Sequence, residues 1–306
     1  MVTDIFRPVR RTLNWRFSRP IFLIVAPAFT HRSAGIRALY RLCHHLNRAG
    51  YPSAMLPTRR KILLTDLPPW NVKFHLGPIG DAVVIQPEIV AGNPFNASKL
   101  VRWVLNDPGL LGGEKGFGKE EVVFVYDPAK LPIVNAVLPE PIGMERVLWV
   151  GVVDPSIIYP DENTAKIMDC YYVGKGHALQ AAFPMADRQN LYKLEELTAT
   201  ARDLGDVLRK THTLYSYDHY SNVLREAVFC GCEVRTMDAS GQWHDPRHCS
   251  CPLNIRWQPD LADTYATQFR DHRVVEPFIA ALPAEWGLPT GRQARYTSEE
   301  HSHQSR

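Results

Sequence analysis

One stretch of the chain constrains the fold more than any other. Residues 211 to 234, THTLYSYDHYSNVLREAVFCGCEV, predict an apolar strand, a polar turn, an amphipathic helix and a second strand, in that order. Asp218 closes the first strand, and Glu226 lies eight residues later, inside the helix. Because a helix rises only about 1.5 Å per residue, we expect both carboxylates near the carboxyl edge of a sheet. In open α/β sheets that edge is where nucleotides and sugars bind.

The same alternation of strands and helices predicts parallel sheets along most of the chain. Residues 21 to 26, IFLIVA, are a continuous apolar run, typical of a central strand that is buried on both faces. A helix at 35–49 follows, with apolar residues at three- and four-residue steps and Gly50 directly after it. Further strands are predicted at 81–85, 121–126, 147–153, 170–173, 196–198, around 214 and at 233–237. Further helices are predicted at 97–106, 201–210 and 222–230, the second of them capped by Thr200 and Asp203.

The order of these elements predicts two similar halves. DPSIIYPDEN, residues 154 to 163, is rich in turn formers and separates them. We therefore expect an α/β protein with two Rossmann-like domains, whose parallel sheets face each other across a cleft. The predicted division is a basic arm at 1–19, an N-terminal domain at 20–155, a C-terminal domain at 156–286 and a polar tail at 287–306.

Composition narrows the class of protein. The 306 residues are 45% hydrophobic and 22% charged, as in ordinary globular proteins, and the net charge of +3 does not by itself indicate nucleic-acid binding. No apolar run reaches the length of about 18 residues that a membrane span needs. The first apolar run is short and follows an Arg-rich start, unlike a secretory signal. Six cysteines in a chain of this length do not indicate a disulfide scaffold, so we expect a cytoplasmic location.

Two segments of the 211–234 stretch resemble a known family of enzymes. Asp218 and Glu226 are similar to the Glu-x(7)-Glu motif of retaining nucleotide-sugar glycosyltransferases of the GT-B type, with Asp in place of the first Glu. EAVFCGCEV, residues 226 to 234, resembles their EA-x(3)-G-x-P-V segment, with Glu233 where Pro is common. The resemblance covers about residues 20 to 240. It implies a group 1, family 4-like enzyme that moves a sugar from a nucleotide sugar, such as a UDP-sugar, to an acceptor hydroxyl.

The resemblance implies catalytic roles for three residues. Glu226 would hold the ribose of the donor, and Asp218 would accept hydrogen bonds from sugar hydroxyls. Lys175 stands in the place where these enzymes carry a basic residue after the first strand of the second domain. Its ammonium group would stabilise the diphosphate as it departs. The alternative interpretation of Lys175 is a lysine in a surface turn.

Four further residues are candidates for donor binding. Ser221 and Asn222, at the start of the predicted helix, would offer a hydroxyl and backbone N–H groups to a phosphate. Gly174, beside Lys175, would let the backbone approach the ligand closely. Gly35 would do the same for the diphosphate in the first half of the chain.

The segment QPEIVAGNPFNASKLVRWVLN, residues 86 to 106, predicts the acceptor side of the site. It resembles a PE-x(3)-GNP segment of bacterial and phage-type transferases. Glu88 and Asn93 would then face the cleft between the domains and position the acceptor hydroxyl. The alternative is structural, with GNP as a turn before a helix and Asn96 as the helix cap.

Neither a metal nor a cofactor is expected. The Asp-x-Asp motif that binds a divalent metal in the other main transferase fold does not occur in this sequence. Lys175 and helix N-termini can supply the positive field instead. A zinc site is a weaker alternative because the C-x-C spacing is unusual for zinc. Its ligands would come from Cys230, Cys232, Cys249, Cys251, His244 and His248.

The basic arm does not decide which class of acceptor the protein uses. Residues 7 to 19, RPVRRTLNWRFSR, contain five arginines with Leu13, Trp15 and Phe17 between them. The arm could lie on an anionic membrane, contact DNA, or be a solvated leader. The preferred acceptor is a surface glycan or a lipid-linked saccharide, reached by a peripheral protein at the inner membrane face. The alternatives are a transferase that acts on a modified base in DNA, and a nucleotide-binding protein without catalysis.

Overall fold

The computed structural model describes residues 20–58, 68–219, 221–246, 267 and 269–288. Over these residues the chain is an α/β structure with two five-stranded sheets, in which most neighbouring strands are parallel. The basic arm and nearly all of the polar tail lie outside the described residues, so the structure says nothing about their predicted roles.

The first sheet is parallel throughout, and its strands are ordered β2-β1-β3-β4-β5. Its strands are β1 (Phe22–Ala26), β2 (Ser53–Pro57), β3 (Val83–Pro87), β4 (Lys99–Val104) and β5 (Val122–Val125). Helix α1 (Ala34–Arg48) connects β1 to β2, and α2 (Leu131–Asn135) follows β5. The Ser33 side chain caps α1 by accepting a hydrogen bond from the backbone N–H of Ile36. Strand β1 is completely buried, which confirms the prediction from its apolar run.

Among the described residues, the second sheet has the strand order β10-β9-β8-β6-β7, in which β10 alone is antiparallel to its neighbour. Its strands are β6 (Met168–Tyr172), β7 (Leu191–Lys193), β8 (Thr211–Ser216), β9 (Glu233–Met237) and β10 (Trp243–His244). Its helices are α3 (His177–Ala182), α4 (Leu194–Leu197), α5 (Ala201–Lys210) and α6 (Val223–Phe229). A reciprocal capping box between Thr200 and Asp203 starts α5, as predicted.

The two sheets share one connectivity. In each of them the second strand lies on one side of the first, and the third, fourth and fifth follow on the other side. The order in which strands are added therefore reverses at the parallel pair β1/β3 in the first sheet and at the parallel pair β6/β8 in the second. Ligands of open α/β sheets bind in the crevice at the carboxyl ends of such strand pairs. The stretch that follows β6 carries Lys175, and the stretch that follows β8 carries Asp218.

The C-terminal part of the described chain returns to the first sheet. Helix α7 (Val275–Ala280) packs in the same core as β1 and β5. The ring of Phe278 lies 4.9 Å from that of Phe124 and 6.0 Å from that of Phe22, measured between centroids. This segment falls within the predicted second domain, 156–286, and in the structure it packs against the first sheet.

Three predicted elements have a different structure. Residues 97–106, predicted as a helix, contain strand β4, because a strand that is buried on both faces shows the same continuous apolar run as a buried helix. Residues 196–198, predicted as a strand, lie in and after α4. The predicted strand at 147–153 is an extended stretch that makes one isolated bridge, between Val147 and Val125.

Two neighbouring histidines of α1 are expected to make the stability of the fold sensitive to acid. His45 is 1% exposed, and neither of its ring nitrogens has a hydrogen-bond partner in the described chain. Burial lowers the pKa of His45 to about 3, and burial together with the charge of Arg41 lowers the pKa of His44 to about 4. Both histidines are therefore neutral in the folded protein over a pH range in which the unfolded chain binds protons.

Stability should fall as the pH drops below 6.5, the usual pKa of the unfolded histidines, and should keep falling towards pH 4. The unfolded state binds more protons in that window, and His45 alone contributes up to about 1.4 kcal/mol per pH unit. Urea unfolding between pH 7.5 and 4.5 measures the slope of the free energy of unfolding against pH. His45→Gln should make it shallower, while His212→Gln, at an exposed position, should leave it unchanged. Equal slopes for the wild type and His45→Gln would contradict the prediction.

Candidate functional site

A cavity of about 320 Å³ lies between elements of the two sheets. One wall consists of the loop after β1 and the first turn of α1. The opposite wall consists of the end of β6, the start of α4 and the start of α6. The charged or polar residues that line it are His31, Arg32, Arg37, His177, Lys193, Glu195, Thr198, Ser221, Asn222 and Glu226.

Glu226 is the most deeply buried acid of this cavity. Its side chain, in the first turn of α6, is 1% exposed, and Arg37 of α1 donates from Nη1 to its Oε1 over 2.6 Å. The same Nη1 donates to the carbonyl oxygen of Val152 over 3.2 Å. A buried carboxylate needs such a partner because desolvation of an unpaired charge is costly. The ion pair therefore joins the helix after β1 to the helix after β8.

Lys175 and Asp218 meet where β6 and β8 end. The backbone N–H of Lys175 donates to Asp218 Oδ2 over 3.0 Å, and the Lys175 ammonium group lies 3.8 Å from the same oxygen. The Lys175 side chain is 39% exposed, whereas that of Asp218 is 1% exposed. The structure thus gives a buried carboxylate that holds the backbone and the ammonium group of one turn.

The glycines beside Lys175 have a packing role. Gly174 has a φ of +49°, and a Cβ there would lie 2.5 Å from Asp218 Oδ2. A Cβ on Gly176 would lie 2.3 Å from the carbonyl oxygen of Tyr217. Both glycines are required because the turn after β6 packs directly on the end of β8. The close approach seen in the structure is to the protein itself. Gly174 also lines the cavity, and its role in donor binding stays a prediction.

Ser221 and Asn222 lie at the cavity, at the start of α6. The Ser221 hydroxyl donates to the phenol oxygen of Tyr172 over 3.3 Å, and burial raises the pKa of Tyr172 to about 12. Asn222 is the N-cap residue, but its side chain makes no capping bond. Its Nδ2 is buried and has no hydrogen-bond partner in the described chain. This amide is therefore available to an acceptor atom of a ligand.

Five predicted site residues do not line the cavity: Lys175 and Asp218, which lie in the turns after β6 and β8, and Gly35, Glu88 and Asn93. Gly35 lies in the first turn of α1, where a Cβ would make an ordinary 3.5 Å contact with Leu105, so its position does not require glycine. Glu88 accepts a hydrogen bond from the backbone N–H of Leu105 over 2.9 Å, and burial raises its pKa. The Asn93 side chain donates from Nδ2 to the carbonyl oxygen of Ala97 and accepts at Oδ1 from its backbone N–H, each over 2.9 Å. This is a turn contact. The predicted helix that Asn96 would cap is strand β4.

Arg32, Arg37 and Glu195 are among the cavity residues that were not predicted from the sequence. Arg32 donates from Nη2 to the backbone carbonyl oxygens of Glu195, over 3.1 Å, and of Thr198, over 3.2 Å. Arg37 could have been suspected, because it stands beside the apolar stripe of α1, where a buried arginine needs an acidic partner. Glu195 was not singled out because the residues directly after it, 196–198, were predicted as a strand.

The cysteine pair of the weaker zinc hypothesis is buried in the second core. Cys232 Sγ donates to the carbonyl oxygen of Leu208 over 3.0 Å. Burial raises the pKa of Cys230 to about 11 and that of Cys232 to about 12, so both are thiols at neutral pH. Cys249, Cys251 and His248 lie outside the described residues. Within the described ranges, no three His, Cys, Asp or Glu side chains are grouped so that they could hold a metal.

The fold defines an α/β protein with two mainly parallel sheets, an architecture compatible with Rossmann-like domains. No protein-family model matches the chain, and a search of curated proteins finds no match either. Among the described helices, none has the length and apolar character needed to cross a membrane.

Proposed function

We propose that this protein is a glycosyltransferase that binds a nucleotide sugar in the 320 Å³ cavity. In this proposal the two sheets belong to the two domains of a GT-B arrangement. The supporting observation is the position of Glu226, a buried carboxylate in a cavity beside the β6/β8 reversal point. Carboxylates in such crevices accept hydrogen bonds from the vicinal hydroxyls of a ribose.

The charges around the cavity fit a nucleoside diphosphate. Arg32 and Lys193 line it, and Lys175 lies in the turn next to Gly174. Their positive charges can offset the two phosphates, while Glu226 takes the ribose. The cavity volume is also in the range of small-molecule sites, about 300 to 1,000 Å³. A site of this composition favours a ligand that combines hydroxyl groups with an anionic group.

The proposed reaction needs no protein nucleophile. The bond between the anomeric carbon and the phosphate oxygen breaks, the acceptor oxygen bonds to the same face of that carbon, and the acceptor proton moves to the departing phosphate. Lys175 stabilises the negative charge that grows on this phosphate. Asp218 holds the Lys175 turn and accepts hydrogen bonds from the transferred sugar. The positive field of the protein takes the place of a divalent metal in this proposal.

We propose a glycan or a lipid-linked saccharide as the acceptor, and action in the cytoplasm at the membrane surface. The net charge of +3 favours this acceptor over DNA. The basic arm at 1–19 would then meet anionic lipid, and it would contact phosphates if DNA were the acceptor. Transfer assays with both acceptor classes distinguish the two.

Glu226→Gln should weaken donor binding by about 1.5–3 kcal/mol, because the charged acceptor of the ribose hydroxyls becomes a neutral amide. A thermal-shift panel of nucleotide sugars first identifies the donor, since a ligand at 100 times its Kd stabilises by about 2.7 kcal/mol. Calorimetry of that donor with the wild type and with the folded variant then measures the loss.

Glu233→Gln is the matched control, because Glu233 is exposed on β9 and should not affect binding. Unchanged donor affinity in Glu226→Gln would remove Glu226 from the site. Tight donor binding without transfer to any acceptor, and without slow hydrolysis of the donor, would instead identify a nucleotide-binding protein without catalysis.

A further inference from the structure

A second carboxylate of the cavity, Glu195, has no role in the proposed reaction. It lies at the start of α4, directly after β7. Its Oε1 accepts hydrogen bonds from the backbone N–H groups of Val173, over 2.9 Å, and Gly174, over 3.2 Å. These two donors hold the carboxylate against the carboxyl end of β6.

The other oxygen of Glu195 lacks a donor. Oε2 is buried and has no hydrogen-bond partner in the described chain, although the residue lines the cavity. The arginines and the lysine that line the cavity contact other acceptors: Lys193 lies 3.7 Å from Glu196, Arg32 donates to backbone carbonyl oxygens, and Arg37 pairs with Glu226. A buried acceptor without a donor is unfavourable and rare in folded proteins. A ligand in the cavity can supply the missing donor.

The wall beside Glu195 is apolar. Val173, Leu194, Leu204 and Val223 line the same cavity, and three of them belong to the second core. Such a surface suits the face of an aromatic ring, whereas hydroxyls and phosphates need polar partners. An apolar wall with a single fixed acceptor is the kind of site that binds a planar base by its edge.

We propose that Glu195 reads the base of the donor nucleotide and selects a base with a ring N–H group. This inference rests on the proposed function and names the specificity of the same cavity. A carboxylate only accepts hydrogen bonds. Uracil and guanine offer a ring N–H on their pairing edge, whereas adenine and cytosine present a ring nitrogen lone pair there. Sites built to bond a particular group reject analogues that lack it.

Glu195→Gln tests this role with little change in shape. The amide oxygen can keep the bonds from Val173 and Gly174, which places the NH₂ group where Oε2 was and turns an acceptor into a donor. We expect the wild type to bind UDP or GDP at least about tenfold more tightly than ADP and CDP. Glu195→Gln should lose about tenfold in affinity for the preferred nucleotide and should bind ADP and CDP no worse. Calorimetry with the four ribonucleoside diphosphates measures this.

Glu233→Gln is again the control, because Glu233 is exposed on β9, does not line the cavity and should leave all four affinities unchanged. Equal affinity of the wild type for the four nucleotides would overturn the inference, whatever the variant does. So would an unchanged preference in Glu195→Gln. In both cases a loss of binding in Glu226→Gln would leave the proposed function standing. Failure of the wild type to bind any of the four would overturn both proposals.

Discussion

Arg37→Met should lower the free energy of unfolding by about 3–5 kcal/mol, because it leaves the Glu226 carboxylate buried without its partner. The two side chains are 11% and 1% exposed, and 2.6 Å separates Arg37 Nη1 from Glu226 Oε1. Little water reaches the carboxylate to replace the lost bond. The carbonyl oxygen of Val152 also loses its contact with Arg37, which adds to the loss. Urea unfolding at pH 7 measures the change.

A double variant separates the ion pair from the packing of its side chains. Arg37→Met with Glu226→Met removes both charges, so it should be clearly more stable than Arg37→Met alone. Arg188→Met is the control for an exposed pair, because Arg188 lies 3.2 Å from Asp169 and is 44% exposed. Its loss should lower the free energy of unfolding by less than about 1 kcal/mol. If Arg37→Met lowered the free energy of unfolding no more than Arg188→Met does, the buried pair would not hold the two halves of the cavity together.

Lys175→Ala should reduce kcat by about 10²–10³-fold, which is the usual effect of removing one group that stabilises charge in a transition state. This prediction rests on the proposed transfer reaction. The affinity for the donor should change much less, because the negative charge on the phosphate grows only as the bond breaks. Steady-state kinetics with the identified donor, together with calorimetry of its nucleoside diphosphate, separates the two effects.

The control for Lys175 is Lys210→Ala, an exposed lysine at the end of α5. It removes one positive charge from the same sheet and should leave kcat unchanged. A Lys175→Ala enzyme with near-normal kcat would remove the ammonium group from the mechanism and leave it as a partner of Asp218. A loss confined to donor affinity would make Lys175 a binding residue only.

Local patterns in the sequence predicted most of the second sheet. The strand–turn–helix–strand order of residues 211–234 is found in the structure as β8, α6 and β9, and the predicted capping of α5 is found at Thr200. These features depend on neighbours in the chain. Strand β4 was mistaken for a helix, because burial on both faces removes the alternation that distinguishes a strand.

The parts of the site that were missed depend on contacts far apart in the chain. Arg37 and Glu226 are 189 positions apart, and the periodicity of either helix carries no information about the other. Similarly, Glu195 became a candidate only when its Oε2 was found buried without a partner. The predicted residues that do line the cavity are Gly174, Ser221, Asn222 and Glu226, all in the turn and helix that follow strands of the second sheet. Their roles in binding and catalysis remain predictions.

The return of α7 to the first sheet affects how the protein is made. The core of that sheet includes Phe22 near the start of the chain and Phe278 and Leu282 near its end. A ribosome releases the N-terminal residues first, so the core of β1 to β5 lacks these contacts until α7 emerges. The second sheet, built from 168 to 244, can complete its own strands earlier. The half of the protein that is translated first is therefore the half that is completed last.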